Sequence, residues 1–73
     1  MNLAPKGFKD YPYSYHQELI LVIENVTNLG LGIARDNGWV VQIAFVLPGE
    51  KVRARIFRNH KSYSDADCIE VLE

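Results

Sequence analysis

The side chains able to do chemistry in this chain are few, and their spacing excludes most reactions. Cys68 is the single cysteine, so it cannot close an internal disulfide or build a cysteine-rich metal site. It reads as a small hydrophobe on a strand. His16 and His60 lie far apart with no paired ligand spacing, and no metal site is expected. Asp65 and Asp67 share one face of a strand but point outward beside a basic strand, a poor setting for a general acid–base pair. No G-x-S-x-G, P-loop or H-E-x-x-H is present. Gly30-Leu31-Gly32 lacks the third glycine of a dinucleotide fingerprint and opens no helix, so it reads as a bend. The expectation is no catalytic residue, no metal and no cofactor.

What remains is charge. Lys51, Arg53, Arg55, Arg58 and Lys61 place five of the eight cations within eleven residues, with His60 among them and no acid. The next twelve residues carry Asp65, Asp67, Glu70 and Glu73 and no cation. The net charge of −1 matters less than this asymmetry, because binding responds to the local field. Phe57, His60, Tyr63 and Trp39 are interleaved with the cations. Cations for phosphates beside ring faces for unstacked bases are what single-stranded or looped RNA requires. A cationic outer strand also serves solubility, and Asp65 or Asp67 could neutralise it by cross-strand pairing; the sequence leaves both readings open. Taken singly, Trp39 and Phe45 read as packing residues.

The elements that position these groups are strands. Residues 18–26 are β-branched and aliphatic and end at Thr27-Asn28. Gly30 and Gly32 mark a bend where a side chain would obstruct a close backbone approach. Residues 32–35 form a second short strand. Asp36-Asn37-Gly38 is a hairpin signal, since Asn-Gly suits the positive φ values of a type I′ turn. Residues 39–45 form the third strand, and Leu47-Pro48-Gly49-Glu50 is a turn. Residues 51–58 and 63–71 are the fourth and fifth strands, joined by Asn59-His60-Lys61. In the fourth, Val52, Ala54 and Ile56 share one face, and Lys51, Arg53, Arg55 and Phe57 share the other. In the fifth, Ile69 and Val71 oppose Ala66 and Cys68 in parity, and a bulge near 68–69 would return all four to the core. On the first strand, Ile20 and Val22 oppose Leu19, Leu21 and Ile23. They form either a second buried face or an apolar docking patch.

Seventy-three residues make one domain. Residues 1–17, broken by Pro5, Gly7 and Pro12, read as an extended leader arm, with Tyr11, Tyr13 and Tyr15 forming an edge strand or lying across the core. Residues 18–73 read as the barrel: an all-β, five-stranded antiparallel architecture, which leaves few exposed edges. The longest apolar run, Leu19-Ile20-Leu21-Val22-Ile23, is far short of the roughly 20 residues that cross a bilayer. No signal-peptide pattern opens the chain. With a lone thiol, a reducing intracellular setting is expected, the cytoplasm or an organelle.

In order and spacing, the segments from Glu18 to Leu72 resemble the TRAM domain. The resemblance rests on Ile23-Glu24-Asn25-Val26, Gly30-Leu31-Gly32-Ile33-Ala34-Arg35, Asn37-Gly38, Leu47-Pro48-Gly49-Glu50-Lys51-Val52 and Tyr63-Ser64-Asp65-Ala66. Ile43-Ala44-Phe45 departs from the proline common after the third-strand valine, and Ile20 and Val22 stand where relatives are often charged. Tyr15-His16-Gln17 resembles the approach to the N-terminal TRAM domain of RNA (uracil-5-)-methyltransferases. The resemblance implies an oligonucleotide-binding (OB) type barrel that binds tRNA or rRNA and delivers it to an S-adenosylmethionine-dependent catalytic domain carried elsewhere in a parent chain. Since Asn59 is the only Asn or Gln between Gly49 and Glu73, recognition by shape rather than sequence is expected. It implies a non-catalytic monomer. The expected RNA contacts are Arg35, Lys51, Arg53, Arg55, Arg58, His60, Lys61 and Tyr63. The rival expectation is a protein-interaction module docking on a catalytic domain through Ile20 and Val22.

Overall fold

A computed structural model describes residues 4–73. Six strands are formed: β1 (Glu18–Val22), β2 (Asn25–Val26), β3 (Leu31–Asp36), β4 (Trp39–Ala44), β5 (Lys51–Asn59) and β6 (Tyr63–Val71). They make one sheet in the order β1-β5-β6-β4-β3-β2. β1 and β2 are two halves of the first expected strand, bent at Ile23-Glu24 so that the first half pairs with β5 and the second with β3. The bend curls the sheet. Ile23 N donates to Glu50 O (2.9 Å), Gly49 N donates to Ile23 O (2.8 Å), and Glu24 N donates to Ile33 O (2.8 Å). The first strand thus pairs with β5 through its first half and with β3 through its second, curling the sheet into an OB-like half-barrel. Counting β1 and β2 as one bent strand recovers the five expected. One pairing, β4 with β6, is parallel, because the chain crosses from β4 to β5 and returns beside β4.

The core comprises Leu21, Ile23, Ala34, Val41, Ile43, Val46, Val52, Ala54, Ile56 and Ala66, closed at one end by Tyr13. Leu19, Val26, Trp39 and Cys68 pack against it, half buried. A Cβ on Gly32 would overlap Val46 Cγ2 and come within 3.2 Å of Ile23 Cγ2; here the expected close approach is real. The β3–β4 turn has φ of 52° at Asn37 and 84° at Gly38, as a type I′ hairpin requires.

Three packing expectations need correction. Phe45 is not a packing residue: it is 98% exposed and adopts φ of 63°, a turn that sends Val46 inward in its place. A bulge does occur at Ile69, since Cys68 pairs with Ala54 and Glu70 with Arg53. It does not return Ile69 and Val71 to the core, and both stay exposed. Ile20 and Val22 are not a second buried face. They point outward on β1, opposite Arg53 and Lys51.

Candidate nucleic-acid interface

β5 begins as a regular half-buried strand. Val52, Ala54 and Ile56 are buried, while Lys51, Arg53 and Arg55 alternate outward. The pairing with β6 then shifts: Ile56 faces Ala66 and Arg58 faces Asp65, leaving Phe57 as an extra residue. Bulges of this kind re-aim side chains. Without it Arg58 would follow Val52, Ala54 and Ile56 into the core. With it Phe57 and Arg58 both reach solvent and Asn59 turns inward.

The bulge divides the expected contacts into two groups. Below it, every cation has an acidic partner. Lys51 Nζ lies 3.6 Å from Glu73, Arg53 lies 3.5 Å from Glu70, and Arg55 lies 3.8 Å from Asp67. The cross-strand neutralisation considered for this face therefore occurs, with Asp67 among the partners but not Asp65. Arg35 stands apart on β3 and is bonded to Glu24. Above the bulge the situation changes. His60 Nε2 lies 2.7 Å from Asp65 Oδ2, and its ring stacks on Tyr63 with centroids 4.3 Å apart. Arg58 and Lys61 have no carboxylate within ion-pair distance.

Two further cations behave the same way. Lys6 and Lys9, in the arm, have no acidic partner, so among the described residues four of the eight cations are unpaired. All four line one open groove of about 680 Å³ between the arm and the end of β5. Phe8, Tyr15, Phe57 and His60 contribute rings to its wall, and no carboxylate lines it. Phe8 meets Tyr15 edge-on at 5.3 Å, and Tyr15 stacks on His16 at 3.8 Å. Phe57 packs against no other ring and is 40% exposed. The reading of the sequence missed Lys6, Lys9 and Phe8, which lie in the segment read only as an extended leader arm. The one available signal was a pair of lysines three apart beside an aromatic residue, too common a pattern to place on a site.

The arm is held over the barrel by a chain of hydrogen bonds that begins in the core. Trp39 Nε1 donates to Ser64 Oγ (3.0 Å), which donates to Asn59 Oδ1 (2.6 Å). The Asn59 amide in turn donates to the carbonyls of Lys9 and Tyr13, both at 2.7 Å. His16 N donates to Ile56 O (2.7 Å), and Ile56 N donates to Gln17 O (2.9 Å). The Tyr13 hydroxyl donates to Asp36 Oδ2 (2.7 Å). Burial, reinforced by the hydrogen bond and charge of Asp36, pushes the Tyr13 phenol well above its ordinary value of 10.0. Asn59, the only Asn or Gln between Gly49 and Glu73 in the sequence, is therefore committed to holding the arm. Buried polar groups require such partners.

The sequence profile described as TRAM domain matches residues 17–69. The 23S rRNA (uracil(1939)-C(5))-methyltransferase RlmD of Acidithiobacillus ferrooxidans is 45% identical over 49 residues, covering 67% of this chain and 11% of that protein. RlmD of Shewanella woodyi is 39% identical over 67 residues, covering 88% of this chain and 15% of that protein. RlmD of Halomonas elongata is 40% identical over 53 residues, 71% of this chain and 11% of that protein. The chain thus spans less than a sixth of the length of each of these relatives.

Proposed function

The chain belongs to the TRAM domain family, and from that premise we propose that it binds tRNA or rRNA and delivers it to a uracil-5 methyltransferase active site in the same or a partner chain. The names of the relatives support the enzyme class. The barrel is a non-catalytic module, so the S-adenosylmethionine chemistry belongs to a separate domain. The observation that carries the reading is that the four cations without acidic partners among the described residues gather in one groove with the exposed Phe57. Paired cations attract a polyanion weakly, because their field is already cancelled; unpaired ones release counterions on binding.

The reading makes recognition depend on shape and charge. Base edges are read by rigid amides and guanidinium groups, and the amide within the cationic segment, Asn59, is buried in the arm anchor. The chain acts as a monomer in this role. A titration of a labelled RNA at several salt concentrations tests it. Four phosphate contacts give a log–log slope of about −2.8 for a single strand. A flat salt response, or no binding at low salt, would refute the proposal.

A further inference from the structure

Resting on that reading, we infer that the groove between the arm and the β5 bulge is a subsite for a short unpaired stretch of RNA. In it Phe57 is the platform on which a base stacks, and Lys6, Lys9, Arg58 and Lys61 are the phosphate contacts. Three features point to this ligand rather than to a helix. The groove's volume, about 680 Å³, falls in the range of about 300 to 1,000 Å³ of sites built for small ligands. Its wall carries Phe57, 40% exposed, and aromatic rings bind bases whose own faces are free, as they are in loops and single strands. Its cations come from both sides, two from the arm and two from β5 and the following loop, so a backbone lying along the groove meets positive charge on each flank. The bulge matters here because it turns Phe57 and Arg58 outward together, setting a stacking surface beside a phosphate contact.

The arm is part of this site and not a tether to it. Lys6 and Lys9 are held at the groove by the Asn59 amide, which bonds the arm's backbone at the carbonyls of Lys9 and Tyr13. The carbonyl of Lys9 does the anchoring, which leaves its ammonium free for RNA. Asn59 is a positioning residue.

The test uses the whole 73-residue chain and a hexanucleotide carrying one 2-aminopurine, whose fluorescence falls when the base stacks on a ring. The single strand should bind with quenching, and the same oligomer annealed to its complement should bind at least tenfold more weakly. Neutralising two contacts with Lys6→Gln and Lys9→Gln together should weaken single-strand binding by about 25-fold at 0.1 M salt and reduce the salt slope by about 1.4. Phe57→Ala should abolish the quenching and weaken binding roughly 5- to 150-fold. Arg53→Gln with Arg55→Gln, on the ion-paired strip, should change affinity by less than threefold. Should the arm variant fail to fold, judged by its melting curve, Arg58→Gln with Lys61→Gln addresses the same groove from the barrel side. If the chain binds RNA but the groove variants bind as tightly as the parent while the strip variants do not, the subsite is wrong and the RNA-binding reading stands. If no RNA binds at all, that reading fails. If a polyglutamate peptide binds as tightly as the oligomer and competes with it, the groove is a general anion site and the inference is overturned.

Discussion

Asn59→Ala removes the anchor of the arm, and its consequences can be worked out from the contacts it breaks. The side chain is 5% exposed and makes three hydrogen bonds: two donated to the carbonyls of Lys9 and Tyr13, one accepted from Ser64. At about 0.5–1.5 kcal/mol net for each bond, the loss is about 2–4 kcal/mol. A domain of this size has a total stability of roughly 4–11 kcal/mol, so the barrel survives. The cost falls on the arm, which opens while the strands stay paired. Hydrogen exchange reads this directly. The His16 amide, bonded to Ile56 O, should lose protection by roughly 30- to 900-fold, the equivalent of that free energy. Amides within the β3–β4 and β5–β6 ladders should change far less. RNA affinity should fall with the arm, and the salt slope should drop from about −2.8 to about −1.4 as Lys6 and Lys9 leave the groove. Ser64→Ala, which removes two of the hydroxyl's bonds but leaves the amide in place, should cost about 1–2 kcal/mol and alter affinity little. Equal loss of protection in arm and ladders would refute the reasoning, because the arm would then be part of one cooperative unit. So would an arm as protected as before.

Other expectations follow from single contacts. Tyr13→Phe should cost about 1.5 kcal/mol at pH 8, since a hydrogen bond to a carboxylate is lost. The Tyr13 phenol has a higher pKa folded than unfolded, so its stabilisation is complete below pH about 10 and fades as pH rises beyond that. Urea midpoints measured from pH 8 to 11 should therefore fall more steeply for the parent than for the phenylalanine variant. Gly32→Ala drives a methyl into Val46 and should destabilise by about 1–3 kcal/mol, seen as a melting temperature lower by roughly 5–20 °C. Arg55→Gln breaks a half-exposed ion pair with Asp67 and should change stability by less than about 1 kcal/mol in a denaturant titration.

What could be read from the amino acids alone is what depends on neighbours in sequence. Alternation placed Val52, Ala54 and Ile56 in the core and Lys51, Arg53 and Arg55 outside, because side-chain direction along a strand has period 2. Asn37-Gly38 announced its hairpin, because few residues tolerate positive φ at both central positions. The ordered glycine, proline and alanine segments identified the family. Tertiary structure decided the rest. Whether the basic strand is free or neutralised depends on which residues of β6 stand opposite it, and that register is fixed by two bulges: parity announced the one at Ile69, but no local pattern dictates the one at Phe57. Arg58 is on the surface against its own parity for the same reason. Phe45 is exposed because the chain turns at that position to seat Val46 against Gly32. The arm, which shows no periodicity, is placed by bonds that join residues 46 and 50 positions apart, from Asn59 to Tyr13 and Lys9. Long-range hydrogen bonds leave no trace in spacing, so the groove they create, and half of its cations, became visible only once the chain was folded.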